Sequence, residues 1–219
     1  INCFFYDDLI KKDAKHKVKR ILEIPCIIMA GGKGKRLLPF SNILPKPLLP
    51  MNNKTVIENI MTGFYLNGIN NFIISLNYKA KILRSFFSER KKFKVQMVEE
   101  KKSRGTIGSL SLLKKYIKNY FFVTNCDTII DYNYSRIIKS HIEKKSIMTM
   151  IAAKKNIAIN YGVCKLDKQD QLVNLEEKPS SDYLVNTGMY LFSIEILKYI
   201  PRSGVFDITD LVKKLKKNN

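Results

Sequence analysis

Tryptophan is absent from this 219-residue chain, arginine is scarce, and no apolar run is long enough to cross a bilayer. The longest such run, residues 24–30, is interrupted by Pro25 and falls well short of the ~20 residues a membrane helix needs. The amino terminus, Ile1 followed by mixed polar and aromatic residues, lacks the pattern of a secretory signal. With no initiator Met, it reads as a piece of a longer chain. Cys3, Cys26, Cys126 and Cys164 lie far apart and form no C-x-x-C pair. That spacing argues against zinc and a disulfide framework, and for a reducing, cytoplasmic compartment. Only seven of the 39 basic residues are Arg, the side chain that makes bidentate contacts to bases and phosphates. The net charge of +20 is therefore read as a lysine-rich compositional habit. It predicts weak, salt-sensitive attraction to any polyanion, but no specific nucleic-acid partner and no membrane partner. The basic runs at 11–20 and 213–217 are read as a solvated linker and a solvated helix face. His16 and His141 both lie in Lys-rich stretches and are read as solvated side chains.

What is present is globular: 45% hydrophobic and 26% charged residues, enough for a substantial core. Residues 1–23 are read as an arm or linker, and 24–219 as one domain. From Ile24 onward, strand-like apolar runs alternate with segments of helical period. Strands are predicted at 24–30, 71–76, 93–98 and 120–124. Val56, Ile57, Ile60, Met61 and Phe64 mark a helix that Gly68 stops, and further helices are predicted over 80–90 and 107–117. The last places Leu110, Leu113 and Ile117 on one face. This alternation implies βαβ units and a mostly parallel sheet, an α/β fold. After residue 145 the pattern changes to strands at 148–152, 162–166, 172–176 and 186–192, a mixed half laid beside the parallel core. A final helix is predicted from Asp207 or Thr209 to Leu215 or Lys217, acidic or hydroxylic at its start and lysine-rich at its end.

Two loops carry chemistry. The first is Ala30-Gly31-Gly32-Lys33-Gly34-Lys35-Arg36-Leu37, where glycines let backbone N–H groups approach a phosphate chain and basic side chains add countercharge. It is neither a Rossmann fingerprint, because Leu37 stands where the third Gly belongs, nor a Walker A loop, because Arg36 follows Lys35. The second is Leu44-Pro45-Lys46-Pro47-Leu48-Leu49-Pro50, in which two prolines fix the backbone on either side of one lysine. A lysine so held suits an electrostatic clamp on a phosphoryl group.

Together these loops resemble the G-G-x-G-x-R-L…P-K-P signature of the sugar-1-phosphate nucleotidyltransferases. The resemblance continues in order to about residue 215. Gly105-Thr106-Ile107-Gly108-Ser109-Leu110 is similar to the family's G-T-A-G-A-L segment at the nucleobase. Asn125-Cys126-Asp127 stands where the family has N-G-D, whose Asp holds magnesium. Tyr161-Gly162-Val163, Glu176-Glu177-Lys178-Pro179 and Asn186-Thr187-Gly188-Met189-Tyr190 are similar to the sugar-side motifs Y-G-V, E-K-P and N-T-G-x-Y. The nearest likeness within the family is to enzymes with a pair of CBS domains ahead of the transferase, and residues 1–23 resemble the tail of such a region.

The resemblance implies a Rossmann-like three-layer α/β/α fold with a mostly parallel, mixed sheet, the nucleotide-diphospho-sugar transferase fold. It implies two substrates, a nucleoside triphosphate and a sugar 1-phosphate, with Mg²⁺ as cofactor and homo-oligomerisation left open. Guanine with a mannose-like or glucosamine-type sugar is the nearest likeness. Arg36, Lys46 and Asp127 would be catalytic, with Asp127 also the metal ligand. Ala30, Gly31, Gly32, Gly34, Glu100, Gly105 and Thr106 would hold the nucleotide; Glu99 precedes Glu100, so that position is open by one. Gly162, Glu177, Lys178 and Asn186 would hold the sugar phosphate and its sugar. Three positions depart from the pattern. Cys126 replaces a Gly as a tolerated packing residue, and Ile107 replaces a small Ala, narrowing the base site. The second metal-binding Asp, in a late W-x-D-x-G motif, does not occur before Asn219, which predicts weak catalysis. Two other readings are weighed: a metal-dependent glycosyltransferase, which wants Asp-x-Asp where Asn125 stands, and a non-catalytic nucleotide-sugar sensor.

Overall fold

The computed structural model describes residues 2–6 (backbone only), 23–90 and 92–217. The first half contains β1 (Asn2–Tyr6), β2 (Cys26–Met29), the short pair β3 (Pro50–Met51) and β4 (Lys54–Thr55), and α1 (Val56–Leu66). There follow β5 (Asn71–Leu76), α2 (Ala80–Ser88), β6 (Lys94–Glu99) and β7 (Tyr120–Asn125). The second half contains α3 (Tyr134–Glu143), β8 (Met148–Ala158), β9 (Val163–Leu166), β10 (Leu172–Glu176), β11 (Ser180–Ser193) and α4 (Ile208–Lys217). The main sheet has the order β1-β8-β11-β7-β2-β5-β6. Strands β7, β2, β5 and β6 are mutually parallel, β1 runs parallel to β8, and β11 is antiparallel to both its neighbours.

Alternation along the strands decides the layers. Ile28, Phe72, Ile74, Phe122 and Leu191 face a core shared with Ile57, Ile60 and Phe64 of α1, Leu83 of α2 and Ile137 of α3. Their neighbours Ile27, Ile73, Phe121, Val123 and Phe192 face a second core shared with Leu110, Leu113, Ile196, Leu211 and Leu215. Because a strand's side chains point alternately to opposite faces, one sheet buries two cores between two outer layers. Phe64 meets Phe72, Phe122 and Tyr134 edge-on, with ring centroids 4.8–6.4 Å apart, and each such buried ring contributes roughly 1.5–3 kcal/mol. The start of α1 is a capping box: Glu58 accepts from the Thr55 N–H (2.9 Å) and the Glu58 N–H donates to the Thr55 hydroxyl (3.3 Å). Among the described residues, no helix is long and apolar enough to cross a membrane.

Several elements differ from the sequence reading. The helix expected over 107–117 is two 3₁₀ turns, Gly108–Leu112 and Lys114–Tyr116. Ile107, Leu110 and Leu113 are buried at a strict three-residue period, the period of that tighter helix. The Ser111 hydroxyl donates to the Gly108 carbonyl, the kind of local bond that competes with an α-helix. Helix α3 was not anticipated, because its buried face is Tyr134, Ile137 and His141, one of them nominally polar. His141 is not solvated. It is fully buried, with Nδ1 2.7 Å from the Thr149 hydroxyl and Nε2 2.9 Å from that of Ser193, and burial lowers its pKa to about 4. The lysines around it emerge from the other helix faces, so local composition misrepresented its environment. Strands β8 and β11 run past the sheet as a two-stranded ribbon, residues 154–158 paired with 180–184. Polar side chains there hide a strand whose hydrogen bonds come from its partner. The basic run at 11–20 and His16 lie outside the described residues.

Candidate active site

Strand β2 leads to β5 and β6 on one side, and the chain then returns to place β7 on the other side of β2. The loops leaving β2 and β7 therefore diverge, opening a crevice beyond the carboxyl ends of the parallel strands, the usual ligand position in such sheets. A cavity of about 420 Å³ lies there. Its wall includes Gly31, Gly32, Gly34 and Arg36 after β2, Glu100 after β6, and Asn125, Cys126 and Asp127 at the end of β7. Lys46, Gly105, Thr106 and Asp207 complete it.

Gly34 has φ +64°, and a Cβ built on it would lie 3.4 Å from the Cβ atoms of Lys46 and Ser41. Glycine thus turns the loop back and lets it rest against the lysine segment. Among the described residues, the N–H groups of Gly31, Gly32, Lys33 and Gly34 have no backbone partner, so they remain available to an anion. Lys46 opens a short 3₁₀ turn between buried Pro45 and Pro47, and its half-buried ammonium donates to the Asp127 carboxylate. Opposite charges across the crevice bring the two loops into register.

Glu100 is almost fully buried. The Ser75 hydroxyl (2.6 Å) and the Arg104 N–H (3.1 Å) donate to its two carboxylate oxygens. Glu99 points away and pairs with Arg84 at 3.0 Å, so of the two neighbours it is Glu100 that reaches the cavity. Gly105 has φ +79°, and its Cβ would lie 2.7 Å from the Phe206 carbonyl oxygen, which leaves room for no other residue. Cys126 is buried, and burial, reinforced by Asp127, raises its thiol pKa to about 11. It is a protonated packing residue rather than a nucleophile.

Arg36, Lys46, Asp127, Gly31, Gly32, Gly34, Glu100, Gly105 and Thr106 thus share one cavity. Asn186 lies in an adjoining lobe of about 150 Å³ that shares Thr106 and Asn125 with it. Ile107 is on that lobe's wall and not on the main cavity's, so it does not narrow the latter. Ala30 is buried behind the loop, its N–H donating to Ser75, and contributes nothing to the wall. Gly162, Glu177 and Lys178 are exposed and on none of these walls. Gly162 and Glu177 adjoin each other, a Cβ on the glycine lying 3.1 Å from the carboxylate. They flank the β9–β10 hairpin, which is carried outside the main sheet. Asn125 and Asp207 were not among the anticipated site residues. Asn125 could have been read from the motif that contains Asp127, whereas Asp207 carries no local signal beyond a helix start.

Comparison with known proteins bears on the family and the fold. The chain is similar to UTP–glucose-1-phosphate uridylyltransferase of Synechocystis sp., 28% identical over 210 residues, covering 86% of this chain but only 54% of that one. It thus spans about half the length of that relative. It is also similar to D-glycero-alpha-D-manno-heptose 1-phosphate guanylyltransferase of Campylobacter jejuni, 29% identical over 196 residues and 87% of each chain. Among solved structures, HddC of Yersinia pseudotuberculosis superposes with a TM-score of 0.68 at 26% identity, over 87% of this chain and 86% of that one. The nucleotidyl transferase family model matches residues 25–219, the whole of the sheet from β2 onward together with the crevice loops, and the chain belongs to that family.

Proposed function

We propose that the chain joins a nucleoside triphosphate to a sugar 1-phosphate, forming a nucleotide sugar and pyrophosphate. The observation that carries this reading is the one cavity at the sheet's switch point, where a glycine loop whose N–H groups have no backbone partner among the described residues faces a lysine fixed between prolines. GTP is our lean for the nucleotide. The guanylyltransferase relative matches over 87% of both chains, and HddC was crystallised with GMP-PN. The uridylyltransferase relative shows that the family's base preference varies.

In the reaction, an oxygen of the sugar phosphate attacks the α-phosphorus in line. The bond from that phosphorus to the bridging oxygen of pyrophosphate breaks, and pyrophosphate carries the electron pair away. Both reactants are anions, so the barrier is dominated by their repulsion and by charge growing on the leaving group. N–H groups of Gly31–Gly34 hold the triphosphate, Arg36 neutralises the departing pyrophosphate, and Lys46 bridges the α-phosphate and the sugar phosphate. Glu100 and Gly105 border the base and Asn186 lines the sugar side of the site, whereas Gly162, Glu177 and Lys178 stand off the cavity walls, flanking the β9–β10 hairpin.

Asp127 is a partly exposed carboxylate on the cavity wall, and no cluster of three metal-binding side chains occurs among the described residues. That donor set fits magnesium, which is commonly held by one or two carboxylates together with substrate phosphates and water. Asp127 would hold the Mg²⁺, which would supply charge neutralisation to the phosphates.

The test is a grid of the four nucleoside triphosphates against hexose and heptose 1-phosphates, read as pyrophosphate release. Pyrophosphate formed only when both substrates are present supports the proposal. Release of a nucleoside diphosphate instead identifies a glycosyltransferase, and tight nucleotide-sugar binding without turnover identifies a sensor.

A further inference from the structure

The loop that borders the proposed base site does not stand alone. The Thr106 N–H donates to Oδ1 of Asp207 at 2.8 Å, and the Ile208 N–H donates to the Thr106 hydroxyl at 2.9 Å. Around this pair, the Ile107 and Gly108 N–H groups share the Phe206 carbonyl (3.2 and 3.1 Å), and the Phe206 N–H donates to the Arg104 carbonyl (2.9 Å). The Arg104 guanidinium reaches the Arg202 carbonyl at 2.8 Å. Residues 104–108 are thus laced to 202–208, some 100 positions later, immediately before α4.

The exchange at its centre is reciprocal. At a helix start, a side-chain oxygen normally accepts from the helix's own N–H groups. Here the threonine of one loop accepts from the first N–H of α4, while the aspartate preceding α4 accepts from that loop. Asp207 is itself held, its N–H donating to Asp210 at 3.1 Å. A charged acceptor strengthens the bond to the Thr106 N–H and fixes a loop whose glycine, at φ +79°, is costly to order. Asp207 is half-buried and on the wall of the main cavity, so the clasp closes where the base would lie.

We propose that Asp207 is a positioning residue that holds Gly105–Thr106 in the shape that receives the nucleobase; this rests on the nucleotidyltransferase reading above. It acts through the loop and touches no reacting atom. Asn at this position keeps a carbonyl oxygen where Oδ1 stands, whereas Ala removes the acceptor.

The experiment combines amide hydrogen exchange with calorimetric titration of the four nucleoside triphosphates and of inorganic pyrophosphate, a probe that lacks a base. In Asp207→Ala, the amides of 106–108 exchange about tenfold faster, and affinity for the preferred nucleotide falls about tenfold, the size of losing one hydrogen bond to a charged group. Pyrophosphate affinity stays within twofold, and Asp207→Asn recovers most of both losses. Unchanged exchange at 106–108 overturns the clasp, as does a nucleotide loss matched by pyrophosphate or not recovered by Asn. A wild-type chain that binds none of the four triphosphates overturns the nucleotidyltransferase reading, while the exchange arm still decides whether Asp207 orders the loop.

Discussion

Replacing Gly32 and Gly105 in turn by alanine adds the same methyl group to two loops of one cavity, with opposite consequences. At Gly32 the new Cβ meets nothing within 4 Å and the backbone is not left-handed. The fold should tolerate it, with stability unchanged or raised by about 0.4–1 kcal/mol because the unfolded chain loses freedom. The methyl instead protrudes into the cavity where the phosphates would run, and a displacement of about 1 Å there costs about 10² in rate. At Gly105 the left-handed backbone costs about 1–2 kcal/mol, and the Cβ would lie 2.7 Å from the Phe206 carbonyl oxygen. Relieving that clash weakens the bonds from Ile107 and Gly108 to the same oxygen, each worth about 1 kcal/mol. The total, about 3 kcal/mol, should lower the melting temperature by about 10 °C. Calorimetry and pyrophosphate release on both variants separate the two effects. Gly32→Ala with wild-type turnover would refute the path assigned to the triphosphate, and Gly105→Ala with a wild-type melting temperature would refute the packing of this loop on Phe206.

Asp127→Ala should abolish magnesium-dependent turnover while moving the melting temperature by no more than about 4 °C, because a partly exposed ion pair contributes only about 0–1 kcal/mol. Activity that survives removes the metal assignment. Lys46→Ala should slow turnover by about 10²–10³, the usual loss for one electrostatic stabiliser, and an unchanged rate returns that lysine to a structural role in the crevice. His141 carries a pH dependence. Its folded pKa of about 4 lies below the ordinary imidazole value near 6.5, so the unfolded chain binds the extra proton first. Stability from this residue is complete above about pH 6.5 and is lost as pH falls toward 4, by at most about 3 kcal/mol. Melting curves from pH 7.5 to 4 should show that slope in the wild type and a shallower one in His141→Gln; equal slopes exclude the histidine as the cause.

Much of this protein was legible in its sequence, and for local reasons. The strand and helix order from β2 through β7 follows from the periodicity of apolar residues, and α1 and β5 could be placed almost to the residue. The glycine loop, the lysine between prolines and the Asn125–Asp127 segment stand out because each meets a demand of its own backbone or charge. Two errors were also local in origin: His141 was judged by its lysine neighbours, and 107–117 by a spacing that α and 3₁₀ helices nearly share.

Convergence was decided only by the tertiary structure. Lys46 and Asp127 are 81 positions apart and meet because the sheet sets β7 beside β2, a pairing no local pattern encodes. Asp207 joins Thr106 across 101 positions for the same kind of reason, through the seating of α4 on the second core. Gly162, Glu177 and Lys178 matched their motifs in order yet lie off the cavity walls, because the hairpin they flank is carried outside the main sheet. Short-range patterns reveal what each segment prefers to be, while long-range contacts, set by the burial of two cores against one sheet, decide which segments share a site.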